Sequence, residues 1–584
     1  MYIEKIQSPA DVKALSLSEA NILAEEARKV LIEKLSNHGG HVGPNLGFVE
    51  ATIALHRVFN TPTDRFVFDV SHQTYCHKML TGRVRAFLNP AHYDDVTGYS
   101  NHEESPYDNF NIGHTSTSIS LALGLCKGRD VCGGKENIVA VIGDGSLSGG
   151  EALEGLSCAG EYEGNFIIVV NDNQMSIAEN HGGIYKNLQL LRQTNGQAEL
   201  NWFRSMGLDY LYVAEGNNIE ALSAAFEQVK DSKKPVVVHI NTLKGKGLSY
   251  AETDKERWHY GSPFHVEDGS PRYTFEGESW EAINAEFLLQ KAKEMPELVV
   301  LAAGTPAALG MNAENRRALG HQYVDNGIAE EHTVAMASGI AHRGGSPVWG
   351  TYATFYQRTY DQLSQDVAVN KSPATFIVMW ATMYGMNDVT HLCIYDIPLI
   401  SNIPGIVYLA PTCKEEYLAM WDWAVRQRQY PVAIRVPGMT VMHREEAFDT
   451  DYSRLNKFRM EHRGAKVAIV GVGNFYQRAQ QVATLLKDKG IDATLINPRY
   501  LTGVDADMLD SLKADHTVVV TLEDGVIDGG YGEKIARHYA DSKMKVLVRG
   551  LKKDFYDRYD AEELATANRL QPEQIVEDVI ASNI

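Results

Sequence analysis

Two short polar motifs, Gly143-Asp144-Gly145 and Asn171-Asp172-Asn173, carry residue types that bind a divalent cation. Asp144 offers a carboxylate oxygen, Asn173 a side-chain amide oxygen, and Met175 a backbone carbonyl oxygen. Such oxygen ligands suit Mg²⁺, which binds to one or two protein carboxylates and to phosphate oxygens. The flanking glycines let a phosphate approach the backbone at a helix N-terminus. The two motifs together predict a site for Mg²⁺ and a phosphorylated ligand.

The segments around these motifs explain how the two would meet. The apolar runs 137–142 and 165–170 predict strands and 148–161 predicts a helix, which together make one βαβ unit of about 30 residues. Parallel strands place Asp144 and Asn173 at the same carboxyl edge, where ligands of open α/β sheets bind. Similar strands alternate with helices along the chain and predict an α/β fold of doubly wound sheets; these strands are 235–240, 298–303, 375–380, 431–436, 467–470 and 517–522.

Seven motifs extend this pattern along nearly the whole chain. They are Gly40-His41, Asp69-Val70-Ser71-His72-Gln73-Thr74-Tyr75, Gly113-His114-Thr115-Ser116-Thr117-Ser118, Asn171-Asp172-Asn173-Gln174-Met175-Ser176-Ile177, Lys244-Gly245-Lys246-Gly247, Ile328-Ala329-Glu330-Glu331-His332 and Thr354-Phe355-Tyr356-Gln357-Arg358. In type and order they resemble the 1-deoxy-D-xylulose-5-phosphate synthases, a transketolase-like family that uses thiamine diphosphate.

The resemblance implies three doubly wound α/β domains of the transketolase type. We expect a thiamine diphosphate- and Mg²⁺-binding domain over residues 1–285, a pyrimidine-binding domain over 286–445 and a transketolase-like C-terminal domain over 460–584. The resemblance also implies that the protein is a homodimer.

The resemblance assigns roles in the cofactor site to individual residues. Glu330 is expected to hydrogen-bond to N1′ of the aminopyrimidine, while Glu331 lies about 100° further round the same helix. Phe355 is expected to stack on the pyrimidine and Ile177 to bend the cofactor into its V shape; simple core packing is the alternative for both. The expected cofactor contacts are His72, His114, Gly145, Ser146, Asn173, Ile177, Lys244, Glu330 and Phe355, and the expected metal ligands are Asp144, Asn173 and Met175.

Four histidines, His41, His72, His259 and His391, match the family's positions around the reacting groups, and with Glu330 they are the expected catalytic residues. Imidazole suits this role because it exchanges protons near neutral pH. The implied reaction decarboxylates pyruvate and adds its two-carbon unit to an aldehyde. In the family the aldehyde is D-glyceraldehyde 3-phosphate and the product is 1-deoxy-D-xylulose 5-phosphate.

Departures from the family cluster on the acceptor side. The expected substrate contacts are Tyr352, Arg358, Asn387 and Arg435, but Asn387 stands where an aspartate is expected. Trp380 and Gly438 stand where the family has phosphate-binding arginines. Losing two charge-assisted contacts of about 1.5–3 kcal/mol each would weaken binding of a phosphorylated acceptor by roughly two to four powers of ten. The alternative is therefore an acyloin synthase with a different aldehyde acceptor, such as an unphosphorylated one.

Composition excludes several other classes of protein. The chain has 584 residues, of which 44% are hydrophobic and 22% charged, as in ordinary globular proteins. A net charge of −20 without a long basic run argues against nucleic acid and anionic membranes as partners. No apolar run approaches the roughly 20 residues of a membrane span, and the N-terminus lacks a signal peptide's apolar core. The six cysteines form no CxxC pair. We expect a cytoplasmic protein.

Three further expectations complete the sequence analysis. The polar segment 179–199 predicts a surface excursion. A non-catalytic scaffold is the alternative outside enzymes, although intact Asp144, Asn173 and Glu330 argue against it. Gly471-Val472-Gly473 would suggest a nicotinamide-binding turn, but Tyr476 stands where the third glycine should be.

Overall fold

The computed structural model describes residues 1–274, 276–438 and 440–582. The chain divides into two compact units. Unit 1 comprises residues 1–276 and 327–329, and unit 2 comprises residues 277–326 and the chain from residue 330 onwards. In the described parts of the chain, no helix combines the length and apolar character that crossing a membrane requires.

Unit 1 is organised around a parallel sheet. Its strands are β1 (Gly40–His41), β2 (Arg65–Phe68), β3 (Ile138–Gly143), β4 (Phe166–Asp172), β5 (Asp209–Val213), β6 (Pro235–Asn241) and β7 (Tyr260–Gly261). Five of them form the main sheet in the order β2-β3-β4-β6-β5, with every neighbouring pair parallel. β1 and β7 form a separate antiparallel pair. The strands β3, β4 and β6 are apolar on both faces, as expected for a parallel sheet that is covered on both sides.

Several helices of unit 1 begin after residues whose side chains cap them. For example, the Ser16 hydroxyl accepts a hydrogen bond from the Glu19 backbone N–H, and the Glu19 carboxylate accepts one from the Ser16 N–H, which is a capping box. The helices are α1 (Pro9–Ala14), α2 (Leu17–His38), α3 (Gly43–Gly47), α4 (Val49–Val58), α5 (Tyr75–Lys78), α6 (Arg85–Leu88), α7 (Ser118–Cys132), α8 (Gly150–Ala159), α9 (Ile184–Gln193), α10 (Trp202–Ser205), α11 (Ile219–Val229) and α12 (Ser249–Thr253).

Unit 2 contains two further sheets. Its strands are β8 (Leu298–Ala302), β9 (Tyr323–Asp325), β10 (Ser346–Tyr352), β11 (Thr375–Met379), β12 (Val407–Leu409), β13 (Val432–Arg435), β14 (Arg459–His462), β15 (Lys466–Gly471), β16 (Thr494–Asn497), β17 (His516–Val526) and β18 (Lys545–Leu551). One sheet has the order β12-β13-β11-β10-β8-β9 and is parallel throughout. The other has the order β14-β16-β15-β17-β18, in which only β14 pairs antiparallel.

Helices connect the strands of unit 2 as crossover connections between parallel strands require. They are α13 (Trp280–Glu294), α14 (Ala313–Leu319), α15 (Glu330–His342), α16 (Asp396–Ile400), α17 (Lys414–Arg426), α18 (Tyr476–Asp488), α19 (Ala506–Leu512), α20 (Tyr531–His538), α21 (Ala561–Ala567) and α22 (Pro572–Ile580).

Every predicted strand is present, and the predicted βαβ unit is the succession β3-α8-β4. β3 and β4 each end one or two residues later than predicted, because Gly143 still pairs with Asn171 and Asp172 with Asn241. Asp144 and Asn173 directly follow the two strands, as predicted. The expected doubly wound α/β architecture is therefore confirmed.

Candidate active site

The turn after β3 holds Asp144 at the carboxyl edge of the unit 1 sheet. The Asp144 backbone N–H donates to the Asn171 carbonyl at 3.1 Å, which ties the turn to the end of β4. A 3₁₀ helix, Gly145–Ser148, begins directly afterwards. A Cβ at Gly145 would lie 2.9 Å from the backbone and side chain of Ser176, so only glycine fits there. The close approach joins the two predicted motifs.

The Asp144 carboxylate is suited to a cation. Its side chain is almost completely buried, and within the described residues its Oδ1 has no hydrogen-bond partner. Burial, together with the charge of nearby Asp172, raises the pKa of Asp144. A buried carboxylate is costly unless it is paired or coordinates a metal, and a cation at Oδ1 would remove that cost. The residues at this edge, Asp144 and the buried Asn173, therefore fit the hard-ligand site that the sequence predicts.

Ile177 lies in a tight turn just beyond Asn173. Met175 and Glu179 form an antiparallel bridge, and the Ser176 N–H donates to the Ala178 carbonyl at 3.0 Å. The buried Lys244 ammonium donates to the Ser176 carbonyl at 2.6 Å, and burial lowers the pKa of Lys244 to about 7. The buried Lys244 ammonium thus contacts the short turn that carries the half-buried Ile177.

Three of the predicted histidines form one cluster in unit 1. The ring centroids of His41 and His72 are 4.9 Å apart, those of His72 and His259 are 5.2 Å apart, and His259 Nδ1 lies 3.1 Å from Lys244 Nζ. Burial lowers the pKa of His72 to about 3 and that of His259 well below its usual range. The lowered pKa values favour the neutral forms of His72 and His259, in which each ring can donate one hydrogen bond and accept another.

Local pairing and one buried asparagine position this cluster. β1 pairs with β7, which places His41 opposite Tyr260 and next to His259. Asn45, on α3, donates to the backbone carbonyls of His41 and His72 at 2.8 and 2.7 Å. The sequence analysis missed Asn45, although an amide inside an apolar stretch is a signal for a buried hydrogen-bonding role.

Buried Asp69 positions the loop that carries His114. The two Asp69 carboxylate oxygens accept hydrogen bonds from the backbone N–H groups of Ser116 and Ser118 at 2.8 and 3.0 Å. The Ser116 hydroxyl donates to the Ser146 carbonyl at 2.8 Å, so this loop and the turn after β3 are joined. His114 is half-buried at the start of this loop.

The segment 179–199 corrects one prediction, because it is not a simple surface excursion. Asn180 Nδ2 donates to Asp144 Oδ2 at 2.6 Å. From α9, the Tyr185 hydroxyl lies 3.1 and 3.2 Å from the carbonyls of Asp144 and Gly145, and the partly buried Arg192 forms an ion pair with the buried Asp172. The segment therefore packs against Asp144 and Asp172, at the edge of the sheet where the metal site is predicted. Sequence reasoning missed these contacts because each depends on a long-range partner.

In unit 2, Glu330 is the first residue of α15 and is buried. Burial raises the pKa of Glu330 to about 7, although the charge of Arg358, whose Nη1 lies 3.8 Å from Glu330 Oε2, acts in the opposite direction. Within the described residues Oε2 has no hydrogen-bond partner. Glu330 is therefore a buried acid that can hold a proton at neutral pH, which is rare outside functional sites.

Aromatic side chains form a cluster of their own in unit 2. A 3₁₀ helix, Ala353–Thr359, follows β10 and carries Phe355. The ring of Phe355 lies 5.8 Å from that of His391 and 6.3 Å from that of Tyr352, whose ring is in turn 5.1 Å from Trp380. The structure thus groups Phe355, His391 and Tyr352 with the tryptophan that replaces an expected arginine.

Curated relatives match the chain over nearly its full length. The 1-deoxy-D-xylulose-5-phosphate synthase of Clostridium acetobutylicum is 36% identical over 620 residues, which cover 99% of each chain. The enzyme of the same name from Clostridium botulinum is 34% identical, with 99% of each chain covered. That from Caldanaerobacter subterraneus is 33% identical and covers 99% of this chain and 98% of its own. The chain belongs to the 1-deoxy-D-xylulose-5-phosphate synthase family.

Family models agree with this membership. Residues 3–201 match the model described as 1-deoxy-D-xylulose-5-phosphate synthase. Three transketolase models match the thiamine diphosphate binding domain at 128–286, the pyrimidine binding domain at 277–442 and the C-terminal domain at 456–575. The resemblance and the transketolase-type fold class are both confirmed. Among solved structures, the transketolase of Campylobacter jejuni is 16% identical, covers 97% of this chain and 100% of its own, and has a TM-score of 0.45.

Two residues that the family resemblance placed at the acceptor have other contacts in this chain. Arg435 is buried, and its guanidinium donates to Asp396 at 2.7 Å and to Asp524 at 2.5 Å. Two buried carboxylates already pair with Arg435 in this structure, and its place among the substrate contacts stays a prediction. Asn387 is exposed, and its Nδ2 donates to the Tyr559 carbonyl at 3.0 Å, so its amide supports a loop.

The space beside Gly438 is filled by Trp380. A Cβ at Gly438 would lie 3.1 Å from Trp380 Cγ, and Trp380 Nε1 donates to the Glu281 carboxylate at 3.0 Å. Thus an indole and a glycine stand where the resemblance leads us to expect arginines, and the indole is hydrogen-bonded to a carboxylate. Arg358, also in unit 2, lies beside Glu330, with Nη1 3.8 Å from Oε2.

Proposed function

We propose that the chain is a thiamine-diphosphate-dependent 1-deoxy-D-xylulose-5-phosphate synthase. It decarboxylates pyruvate and transfers the two-carbon unit to D-glyceraldehyde 3-phosphate. The observation that carries the proposal is the buried Asp144 carboxylate at the carboxyl edge of a parallel sheet, inside the segment that matches the thiamine diphosphate binding domain. Near-full-length identity to synthases of this name supports the same reaction.

The residues of unit 1 fit the diphosphate part of the cofactor and its cation. Asp144, Asn173 and the Met175 carbonyl would bind Mg²⁺, and Lys244 and His114 would bind the diphosphate oxygens. The close contact between Gly145 and Ser176 holds together the two motifs that carry the proposed metal ligands. Ser146 and His72 complete the proposed contacts, and Ile177 would pack against the cofactor. When bound, thiamine diphosphate supplies a nucleophilic carbon and an electron sink.

Glu330 would hold a proton next to the aminopyrimidine. Its raised pKa places the protonated and ionised forms close together in free energy near pH 7. A proton held at Oε2 can be shared with a ring nitrogen without burying a full charge. Phe355, the third residue of the 3₁₀ helix Ala353–Thr359, would stack against the aminopyrimidine ring.

The histidine cluster would act on the donor. His72 and His259 are neutral, so each has one nitrogen that donates and one that accepts. Such groups can bind a carboxylate oxygen and hold a proton at an alkoxide oxygen. We propose His41, His72, His259 and His391 for this work, with Tyr352 and Arg358 as contacts of the acceptor.

The proposal extends to the organisation of the protein. We assign cofactor diphosphate binding to residues 1–285, pyrimidine binding to 286–445 and the C-terminal domain to 460–584, with a homodimer as the assembly. The ranges of the three transketolase models support this division.

A second candidate function is supported by the surroundings of Trp380. The Trp380 indole donates to the Glu281 carboxylate, whose negative charge would repel a phosphate bound nearby. Burial raises the pKa of Tyr352, and the charge of Glu281 raises it further. With Arg435 engaged elsewhere, this chain would then be an acyloin synthase that prefers an aldehyde without phosphate.

One experiment tests both functions. Purified protein with Mg²⁺, thiamine diphosphate and pyruvate is given either D-glyceraldehyde 3-phosphate or D-glyceraldehyde, and the products are identified by NMR and mass spectrometry. We expect cofactor-dependent CO₂ release and 1-deoxy-D-xylulose 5-phosphate. A higher kcat/KM for the unphosphorylated aldehyde would favour the second candidate. Pyruvate consumption that does not require thiamine diphosphate would contradict both.

A further inference from the structure

Asn180 has a contact that the sequence analysis did not anticipate. Its Nδ2 donates to Asp144 Oδ2 at 2.6 Å, a short distance for a hydrogen bond from a neutral amide to a carboxylate. Asp144 Oδ1, the other oxygen of the same carboxylate, is buried and has no hydrogen-bond partner in the described parts of the chain. The two side chains thus form one hydrogen-bonded unit in which Asp144 keeps one oxygen available.

The orientation of the amide follows from electrostatics. If the Asn180 side chain were turned over, its Oδ1 would face a carboxylate oxygen, and two acceptors would repel each other. Oδ1 of Asn180 therefore points away from Asp144 Oδ2. This atom is also buried, and the described residues offer it no donor. Two buried oxygens from two chain segments are consequently left without partners at one place, a pattern that requires an explanation.

Neighbouring elements fix Asn180 in this place. It directly follows Glu179, which is bridged to Met175, and it precedes α9, whose Tyr185 hydroxyl contacts the carbonyls of Asp144 and Gly145. Because its backbone is held on both sides, the Asn180 side chain loses little conformational freedom when it contacts Asp144. A role that depends on accurate placement is therefore feasible for this residue.

We propose that Asn180 is a positioning residue of the metal site, with two functions. Its Nδ2 orients Asp144 so that Oδ1 is directed to the cation, and its Oδ1 accepts a hydrogen bond from a water molecule that the cation retains. Mg²⁺ gives up its waters reluctantly, so such an acceptor is useful. The inference rests on the proposed function only in taking the cation to be the one that accompanies thiamine diphosphate.

The size of the effect follows from the behaviour of residues that orient metal ligands. Their replacement typically lowers metal affinity by about 10–100-fold. Asn180→Ala removes both polar atoms and some volume, whereas Asn180→Leu removes both polar atoms but keeps a side chain of similar size. A purely structural role would lower the stability of the metal-free protein, and the metal affinity would change only as a consequence.

The test uses Mn²⁺ as the probe, because its oxygen-ligand preferences are like those of Mg²⁺ and its binding can be followed by electron paramagnetic resonance. Mn²⁺ is titrated into full-length protein with saturating thiamine diphosphate, for wild type, both Asn180 variants, Asp144→Ala and the matched control Asn21→Ala. Asn21 is an exposed asparagine on α2 whose amide donates to the Leu17 carbonyl of the same helix. Melting temperatures are measured without metal.

We expect Mn²⁺ to bind 10–100-fold more weakly to both Asn180 variants, with metal-free melting temperatures equal to that of wild type and of Asn21→Ala. Affinity within twofold of wild type in either variant would overturn the inference, as would a lower metal-free melting temperature in both. If wild type itself binds no Mn²⁺ with thiamine diphosphate, or if Asp144→Ala binds it equally well, the proposed function fails and the inference with it.

Discussion

Restoring arginine at positions 380 and 438 is expected to show strong coupling between them. A Cβ at Gly438 would lie 3.1, 3.3 and 3.4 Å from three atoms of Trp380, which is closer than side chains normally approach. The indole cannot move away freely, because Nε1 is hydrogen-bonded to Glu281 and the ring lies against Tyr352. Gly438→Arg alone must therefore displace Trp380, whereas Trp380→Arg first removes the obstacle.

The magnitudes separate the two single variants from the double variant. Overpacking of this kind costs about 1–3 kcal/mol, so Gly438→Arg should lower the melting temperature and gain little activity. A charge-assisted hydrogen bond to the acceptor phosphate contributes about 1.5–3 kcal/mol, which is about ten- to hundredfold in kcat/KM. We expect this gain in the double variant only, and therefore a coupling free energy of about 1–3 kcal/mol between the sites.

The assay measures kcat/KM for D-glyceraldehyde 3-phosphate and for D-glyceraldehyde in all four proteins, together with melting temperatures. Glu281→Gln in the double variant is a useful control, because Glu281 would otherwise attract Arg at position 380 and reduce its effect on phosphate. Additive effects of the two substitutions, within about 0.5 kcal/mol, would refute the steric argument. A low-micromolar KM of wild type for the phosphorylated aldehyde would show that residues such as Arg358 suffice.

Three further predictions concern the cofactor site. Asp144→Ala should abolish Mg²⁺-dependent binding of thiamine diphosphate in calorimetric titrations while the fold is retained by circular dichroism; unchanged affinity would remove Asp144 from the metal site. Glu330→Gln should bind the cofactor but slow exchange of its C2 proton by orders of magnitude, as followed by NMR after acid quench, and near-wild-type exchange would point to Glu331 instead. Because the pKa of Glu330 rises from an ordinary 4.5 to about 7 on folding, the native state retains a proton that the unfolded state releases, so stability falls as pH rises through this window. The free energy of unfolding of cofactor-free Glu330→Gln should therefore match that of wild type near pH 4.5 and exceed it by up to about 3 kcal/mol above pH 7; a difference that does not change with pH would contradict this reasoning.

The parts of the structure that the sequence predicted well are those whose signal is local. The strands before Asp144 and Asn173 are continuous apolar runs, and parallel pairing then determines the edge at which both residues emerge. The spacing of the two motifs is accordingly enough to place them together. Glu330 was identified in another way, by the resemblance of Ile328-Ala329-Glu330-Glu331-His332 to the family's motif, and the structure shows that it is the first residue of α15.

The parts that the sequence did not predict depend on partners distant in the chain. Arg435 lies in an expected motif, yet Asp396 and Asp524 are 39 and 89 residues away and neutralise it. Tyr185 and Arg192 lie in a polar, weakly periodic segment, and their importance appears only when α9 is placed next to the ends of β3 and β4. Such pairings leave no periodic or compositional signal.

The distribution of these contacts also explains how the acceptor side can differ while the cofactor side does not. Asp144 is joined by hydrogen bonds or close contacts to segments around Asn171, Ser176 and Asn180, so a substitution there disturbs several elements at once. Trp380 and Gly438 instead contact each other, and Glu281 satisfies the indole N–H. Because the side chain at position 380 fills the space beside position 438, these two residues can be substituted together without affecting β3 or β4. We therefore predict that acceptor preference can change through positions 380 and 438 without a change in the residues around Asp144.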